Sequence, residues 1–457
     1  MNHVFTEHPK PKIKLGVLFL RRKRAGFTPE WGETIEKEVR AQLESAPFEV
    51  FIPETKIVDV ESMHAALDEC EASNCGVLTA LQPTMSDGRM APVLGRRSST
   101  PVVFWATPEK QEGDMISACS LVGAHTFAAT LAQAGHPFEF AYGMPGEDRT
   151  VVDFNNAVYR AHAYGAIRSA YAGLVGYHAP GFTDMHVEPA SLRTELNIEF
   201  FHIAIKEFAD GLAEVSDADA KADLEQVKTL GLVCESDVSE EDLLFASKYY
   251  LHLKRLMDNT PLQALAVRDW PELCGTQWPY LAMSRLASEG YAIACEGDLD
   301  GALTCLAATT AGCGACYLSD WLEHDEHHIT LWHGGAAPLQ LCRDTDSDTP
   351  PTITNHFNSG KPAVVNATLK SGLPITLLRL WHCHGQYRFT AIEGETVEPK
   401  RHLKGTNGLG FFPDVDLNDY FVRMIRAGFP HHPVVVQGHE KRQLETLMAN
   451  LGVECVA

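Results

Sequence analysis

The chain is short of basic residues, of long apolar runs and of patterned cysteine. Lys and Arg total 38 against 60 Asp and Glu, a formal net charge of −22 over 457 residues. That balance argues against nonspecific nucleic-acid binding, which needs a basic face. Met1 to Lys14 is polar, and the apolar run after it, LGVLFL at 15–20, is too short for a secretory core or a membrane span. Twelve cysteines are scattered over the chain, and reduced thiols in a cytoplasmic protein are the expectation. Cys313-Gly-Ala-Cys316 is a single CxxC pair with no second pair at zinc-site spacing, so it reads as structural. There is no repeat of solenoid period and no low-complexity tract.

What is present is an alternation of buried strands and helices. IKLGVLFL (13–20), FEVFI (48–52), GVLTAL (76–81) and PVVFWA (101–106) are continuous apolar runs of the kind found in parallel sheets. Thr28 followed by Pro29 marks a helix start between the first two, and a long helical stretch near 149–169 leads out of this unit. A second α/β set follows: AGLVGYHAPGF (172–182), NIEFFHIAI (197–205), TLGLVCES (229–236), ALAVRDW (264–270) and YAIACEG (291–297). A helix over 238–259 opens at Ser239 and its following acids. Past the polar connection 344–360, short β-branched runs broken by turn residues predict an all-β unit. The expected fold class is therefore α/β. Two Rossmann-like parallel-sheet α/β domains (1–168 and 169–340) precede a C-terminal β-barrel-like domain (341–457).

Chemistry-bearing residues gather where strands give way to other structure, the place where open α/β sheets collect ligands. Glu296 follows a strand and faces either a cleft or solvent. Asp298 and Asp300 sit in the next helical turn and read as cap and dipole partners. Asp320 ends the expected strand ACYLSD (315–320), and His333 ends ITLWHGG (329–335). His333 is either a site residue or a buried structural histidine. Two acids and an imidazole of this mix suit Mn²⁺, Mg²⁺ or Co²⁺. In GFPHHPVVVQGH (428–439), His431 and His432 point oppositely if extended, so at most one faces a given site. WHCHG (381–385) resembles a metal motif, with His382 and His384 expected on one strand face. Phe182 and Asp184 are candidates to line the pocket, or belong to a packed loop. The basic run RRKR (21–24) is a solvated loop unless an arginine binds substrate oxygens.

The segments AVRDWPEL (266–273), ACEGDLDGALT (294–304), LSD (318–320), TLWHGGAAP (330–338) and GFPHHPVVV (428–436) resemble, in order, the L-fucose and L-arabinose isomerase superfamily. The likeness runs from about Ile13 to the C-terminus and is nearest the shorter, fucose-isomerase-like branch. It implies two α/β domains and a β-barrel-like domain, with a divalent metal, usually Mn²⁺. Glu296, Asp320 and His432 match the metal-holding positions, and His333 matches a further active-site histidine. The resemblance also implies a homo-oligomer, trimer or hexamer, with active sites between subunits, where Arg21 and Arg22 can reach a neighbour's substrate; His431 is a further candidate to bind substrate. Gly334 stands where relatives often carry Cys, which bears on substrate preference.

The expected reaction is aldose–ketose isomerisation of a free monosaccharide, with Glu296 and Asp320 as acid and base and His333 polarising a hydroxyl. Two alternatives stand beside it. The first is an isomerase of a phosphorylated or sulfonated sugar, drawn by the local RRKR charge that screening over about 10 Å leaves in control. The second is a non-catalytic sugar-binding protein, which has no need for two acids and a histidine at strand ends.

Overall fold

The computed structural model describes residues 8–22, 27–97 and 99–456. It divides into two compact units, 11–166 and 167–456 with 8–10. The first unit holds β1 (Lys14–Phe19), β2 (Glu49–Phe51), β3 (Val77–Leu81), β4 (Val102–Ala106) and β5 (Glu139–Tyr142) in one parallel sheet of order β2-β1-β3-β4-β5. Strands β1, β3 and β4 are almost wholly buried, which is why they read as unbroken apolar runs. Strand β5, Glu-Phe-Ala-Tyr, alternates buried and exposed at the sheet edge, so it has no apolar run to betray it. Thr28 precedes a helix over Pro29–Glu44, and the long helix spans Asp148–Arg168.

The second unit opens with β6 (Tyr171–Val175), β7 (Glu199–Ile203), β8 (Val233–Cys234), β9 (Leu262–Val267) and β10 (Ala292–Ala294). Four of these form a parallel sheet of order β10-β9-β6-β7. TLGLVCES does not join it. Its first residue ends the helix Asp217–Thr229, and only β8 remains, exposed and paired with another sheet. The helix Glu240–Asp258 opens with a complete capping box between Ser239 and Asp242.

Ten further strands follow: β11 (Cys316–Leu318), β12 (Asp320–His324), β13 (His328–His333), β14 (Thr352–Thr354), β15 (Val364–Thr368), β16 (Pro374–Cys383), β17 (Gln386–Val397), β18 (Thr406–Phe411), β19 (Val434–Gln437) and β20 (Glu454–Cys455). With β8 they make a mixed sheet whose main path runs β11-β19-β16-β17-β18-β15-β14-β8. The sheet joins strands from both sides of residue 340: β11 pairs with β19, and β13 with β18.

Two local expectations change. Asp320 does not end a strand: it begins β12, which folds back on β13 as a hairpin and sets Asp320 opposite Trp332. WHCHG does not run along one strand face either. His382 is the penultimate residue of β16, whereas His384 has φ +54 in the β16–β17 turn, a left-handed conformation followed by Gly385.

The helix Tyr280–Ser288 carries Tyr280 toward the sheet junction. Arg285 on that helix donates to both carboxylate oxygens of Asp223 at 2.7 and 2.8 Å, with both residues buried. Replacing Asp223 by Ala strands a buried guanidinium, so a stability loss of about 3–5 kcal/mol is expected in a urea titration. A loss below about 1 kcal/mol contradicts the buried-pair account.

Candidate active site

The site lies where the carboxyl edge of the parallel sheet meets the mixed sheet. Beyond β10 the chain turns sharply, with φ +58 at Glu296 and +72 at Gly297. A left-handed glutamate is costly and persists only where its surroundings enforce it. Here the Glu296 N–H donates to Asp269 Oδ1 at 2.9 Å, and its carbonyl accepts from the Ala179 N–H at 2.8 Å. Gly297 has no alternative, since a Cβ there would lie 2.1 Å from the Tyr177 carbonyl oxygen. The turn leaves the Glu296 side chain mostly buried, with Oε1 accepting from Trp270 Nε1 at 3.3 Å.

Register brings the other members in. Leu318 of β11 pairs with Val434 of β19, and the Ser319 N–H donates to the Pro433 carbonyl at 3.0 Å. Asp320 and His432 therefore flank the same pairing. His432 is fully buried, and its Nε2 lies 3.3 Å from Glu296 Oε2 and 3.5 Å from Asp320 Oδ1. His333, at the end of β13, stands with its ring 5.3 Å from that of His432 and its Nε2 3.6 Å from Cys295 Sγ. Burial holds His333 below the usual imidazole range.

The orientation of His432 comes from behind. Its Nδ1 lies 3.1 Å from Asp298 Oδ2. Arg379 of β16 donates to both Asp298 oxygens at 2.7 Å, and neither residue is exposed. Asp298 also accepts from the Gly301 N–H at 2.9 Å, the capping role read from sequence. Its second role depends on Arg379, 81 residues away, and has no local signal. Asp300 is buried too, accepting from the His382 N–H and the Tyr387 hydroxyl, each at 3.2 Å.

Do these residues fit a cation? Burial alone would strip a proton from His432, yet Asp298 and Glu296 outweigh burial and raise its pKa to about 10. The same imidazole holds the Glu296 carboxyl below the usual range, although burial opposes this. The cluster thus draws positive charge to the point between Glu296 and Asp320. Nε2 of His432 is buried there without a hydrogen bond of good geometry. Ligand atoms of Glu296, His333 and His432, and of Asp320, His431 and His432, lie within 4.8 Å of one another in each set. Two carboxylates and an imidazole whose far nitrogen meets a fixed carboxylate are a donor set suited to a divalent ion.

A cavity of about 570 Å³ opens onto Glu296, Asp320 and His333, large enough for a monosaccharide. Trp270, Trp278, Trp332 and Tyr280 wall it, and none of these was singled out in the sequence. Phe182 also lines it, edge-on to Trp270 at 5.6 Å. His431 lies at its border and is held by Asp184, whose Oδ2 meets both the His431 backbone N–H at 2.9 Å and Nδ1 at 2.8 Å. That pairing keeps the Asp184 carboxyl well below its usual range. Gly334 lies in the wall, where a Cβ would come 2.6 Å from the Tyr280 ring. Arg21 and Arg22 belong to the other compact unit, where Arg21 pairs with Glu36 and Arg22 lies over the Phe27 ring. Lys23 and Arg24 fall outside the described residues. Cys313 and Cys316 are buried free thiols away from this cluster, and all twelve cysteines are free.

No family model matches the chain. It is 23% identical to the sulfoquinovose isomerase of Priestia aryabhattai over 449 residues, covering 96% of this chain and 98% of that one. A sulfoquinovose isomerase of Alkalicoccus urumqiensis is likewise 23% identical, over 95% of this chain and 97% of its own length. The L-arabinose isomerase of Anoxybacillus flavithermus is 30% identical over 200 residues, 39% of this chain and 37% of the relative. With this site, the chain is similar to members of the L-fucose/L-arabinose isomerase superfamily. It is an aldose–ketose sugar isomerase.

The Arg379–Asp298 pair should carry both stability and site geometry. Asp298→Asn keeps the size but removes the charge opposite a buried guanidinium. An expected loss of about 3–5 kcal/mol in chemical denaturation follows. An unchanged denaturation midpoint would show that Asp298 carries no charge worth burying.

Proposed function

We propose that the enzyme converts an aldose to its ketose by proton transfer between C1 and C2 through an enediol, with a divalent ion held by Glu296, Asp320 and His432. The observation that carries this reading is the convergence of two carboxylates on one buried imidazole nitrogen, with Asp298 behind the other nitrogen. Mn²⁺ is the first choice, with Mg²⁺ and Co²⁺ as alternatives, because oxygen-rich sites with one imidazole suit these ions. A divalent ion held by Glu296, Asp320 and His432 would supply Lewis-acid stabilisation of the negative charge that develops on the substrate.

The chain's own residues do the rest. Of Glu296 and Asp320, one carboxylate takes the proton from the substrate carbon and the other serves the second proton movement. His333, kept neutral by burial, polarises a hydroxyl. Phe182 and His431, with Asp184 fixing the latter, bound the sugar, and the tryptophan walls exclude water and stack on its C–H faces. We extend the reading to a cytoplasmic homo-oligomer, trimer or hexamer, in which Arg21 or Arg22 of one copy serves the site of another.

A sulfonated sugar is the second reading, favoured by near full-length likeness to sulfoquinovose isomerases. Against it, among the described residues the cavity walls carry no Lys or Arg. A neutral aldose is therefore the substrate class that these walls suit best. An anionic one requires a cation from elsewhere, such as Arg21 or Arg22 of a second copy. Rates on neutral, phosphorylated and sulfonated aldoses with added Mn²⁺ separate the two.

Glu296→Gln should abolish turnover while the circular dichroism spectrum stays native. Retention of more than a few per cent of activity refutes the assignment. Chelator-treated enzyme should be inactive and recover on Mn²⁺ addition; full activity in chelator would remove the metal from the scheme.

A further inference from the structure

One wall of the cavity carries a side chain that the reaction scheme leaves unused. His356 is buried, its ring stacked on Trp278 with centroids 4.0 Å apart and 19° between planes. Tyr280 meets the same ring edge-on at 6.0 Å. These contacts fix the plane of the imidazole. Its Nδ1 faces two backbone N–H groups of its own turn, Asn358 at 3.4 Å and Ser359 at 3.5 Å. A backbone N–H only donates, so Nδ1 is the acceptor, and in a neutral imidazole the proton then sits on Nε2. Burial lowers the pKa of His356 to about 4, so the ring is neutral near pH 7.

Nε2 is directed at Gly334. A Cβ built on Gly334 would stand 3.1 Å from it and 2.6 Å from the Tyr280 ring. Any larger residue would push into both. Glycine is what lets Tyr280 and His356 pack this close to the backbone, and His356 and Gly334 both line the cavity that Glu296 and Asp320 enter. A donor fixed by stacking, with its proton placed by the turn behind it, is built to read an acceptor on a ligand. The tryptophans around it offer little competition, since Trp278 Nε1 already donates to Ser359 Oγ at 2.7 Å and Trp332 Nε1 to the Lys404 carbonyl at 2.8 Å.

We propose that His356 is a specificity-determining residue, its Nε2–H donating a hydrogen bond to a hydroxyl oxygen of the bound aldose beside Gly334. The assignment rests on the isomerase reading and adds to it a group that chooses among sugars. A polar site built for one hydroxyl rejects the analogue that lacks it far more strongly than an apolar wall can.

The test uses the full-length enzyme with Mn²⁺ and a panel of aldoses with their monodeoxy analogues beyond C2. His356→Phe keeps a stacking ring and removes the donor; His356→Gln restores a donor. For H356F the expected result is a KM raised about tenfold or more with kcat within about threefold, and Mn²⁺ affinity by calorimetry unchanged. H356Q should recover most of the lost kcat/KM. Wild type should disfavour one monodeoxy analogue by about tenfold or more, and H356F should lose that discrimination. An unchanged KM in folded H356F, equal losses in H356F and H356Q, or weakened Mn²⁺ binding would each overturn the assignment. The analogue series on wild type alone decides if H356F does not fold: acceptance of every analogue within about threefold overturns it too. No turnover of any aldose by wild type would instead overturn the isomerase reading and this assignment with it.

Discussion

A guanidinium buried with no exposure cannot stand without its carboxylate, and much of the site follows from that constraint. Arg379 comes from the middle of β16, and its two donors fix Asp298. Asp298 opens the helix Leu299–Thr310 and holds Nδ1 of His432. One ion pair therefore ties together a central strand of the mixed sheet, a helix N-terminus and the segment leading into β19. With Nδ1 engaged, Nε2 faces the carboxylates of Glu296 and Asp320. The imidazole is aimed by the interior of the protein before any ligand arrives, which is the condition for a preorganised charged centre.

The two sheets divide the work. The parallel sheet delivers Glu296 through a left-handed turn, held by Asp269 and by the Ala179 N–H. Asp269 is itself fully buried, and burial with the nearby Glu296 charge raises its carboxyl above the usual range. The mixed sheet delivers Asp320, His333 and the backbone next to His432 by strand pairing. Antiparallel register sets Asp320 opposite Trp332 and puts Ser319 against Pro433, so the second acid and the imidazole are placed by backbone hydrogen bonds. Positions fixed in this way are hard to move without unpairing a strand.

Much of this architecture is readable from local pattern. Continuous apolar runs mark β1, β3 and β4, and Ser239 with its acids marks the helix over 240–258. Glu296 reads correctly as an acid just past a strand. The failures share one cause: side-chain roles set by partners distant in the chain leave no periodic trace. Asp298 reads as a cap because Gly301 is three residues away, while Arg379 is 81. Asp320 reads as a strand end because the hairpin to β13 begins within a polar stretch. His384 reads as a strand residue because the turn that takes it depends on the pairing of β16 with β17. His356 sits in a segment with the composition of a connection, and only the stacking on Trp278 distinguishes it.

The chemistry of the walls bears on which sugars this centre can serve. The charged groups are confined to the small cluster at Glu296, Asp320 and His432, while the surrounding surface is aromatic. Such walls exclude water, and charges in a poorly solvated space act on each other far more strongly than in bulk. They also offer flat faces to the C–H side of a ring or an extended polyol, which is sequence-blind to most hydroxyl positions. Discrimination must then come from the few neutral donors that interrupt the aromatic surface. Those donors are fixed by packing rather than by charge, so they distinguish hydroxyl patterns without attracting anions. Among the described residues the lining holds no Lys or Arg, so in the proposed reading an anionic substrate calls for a cation from elsewhere.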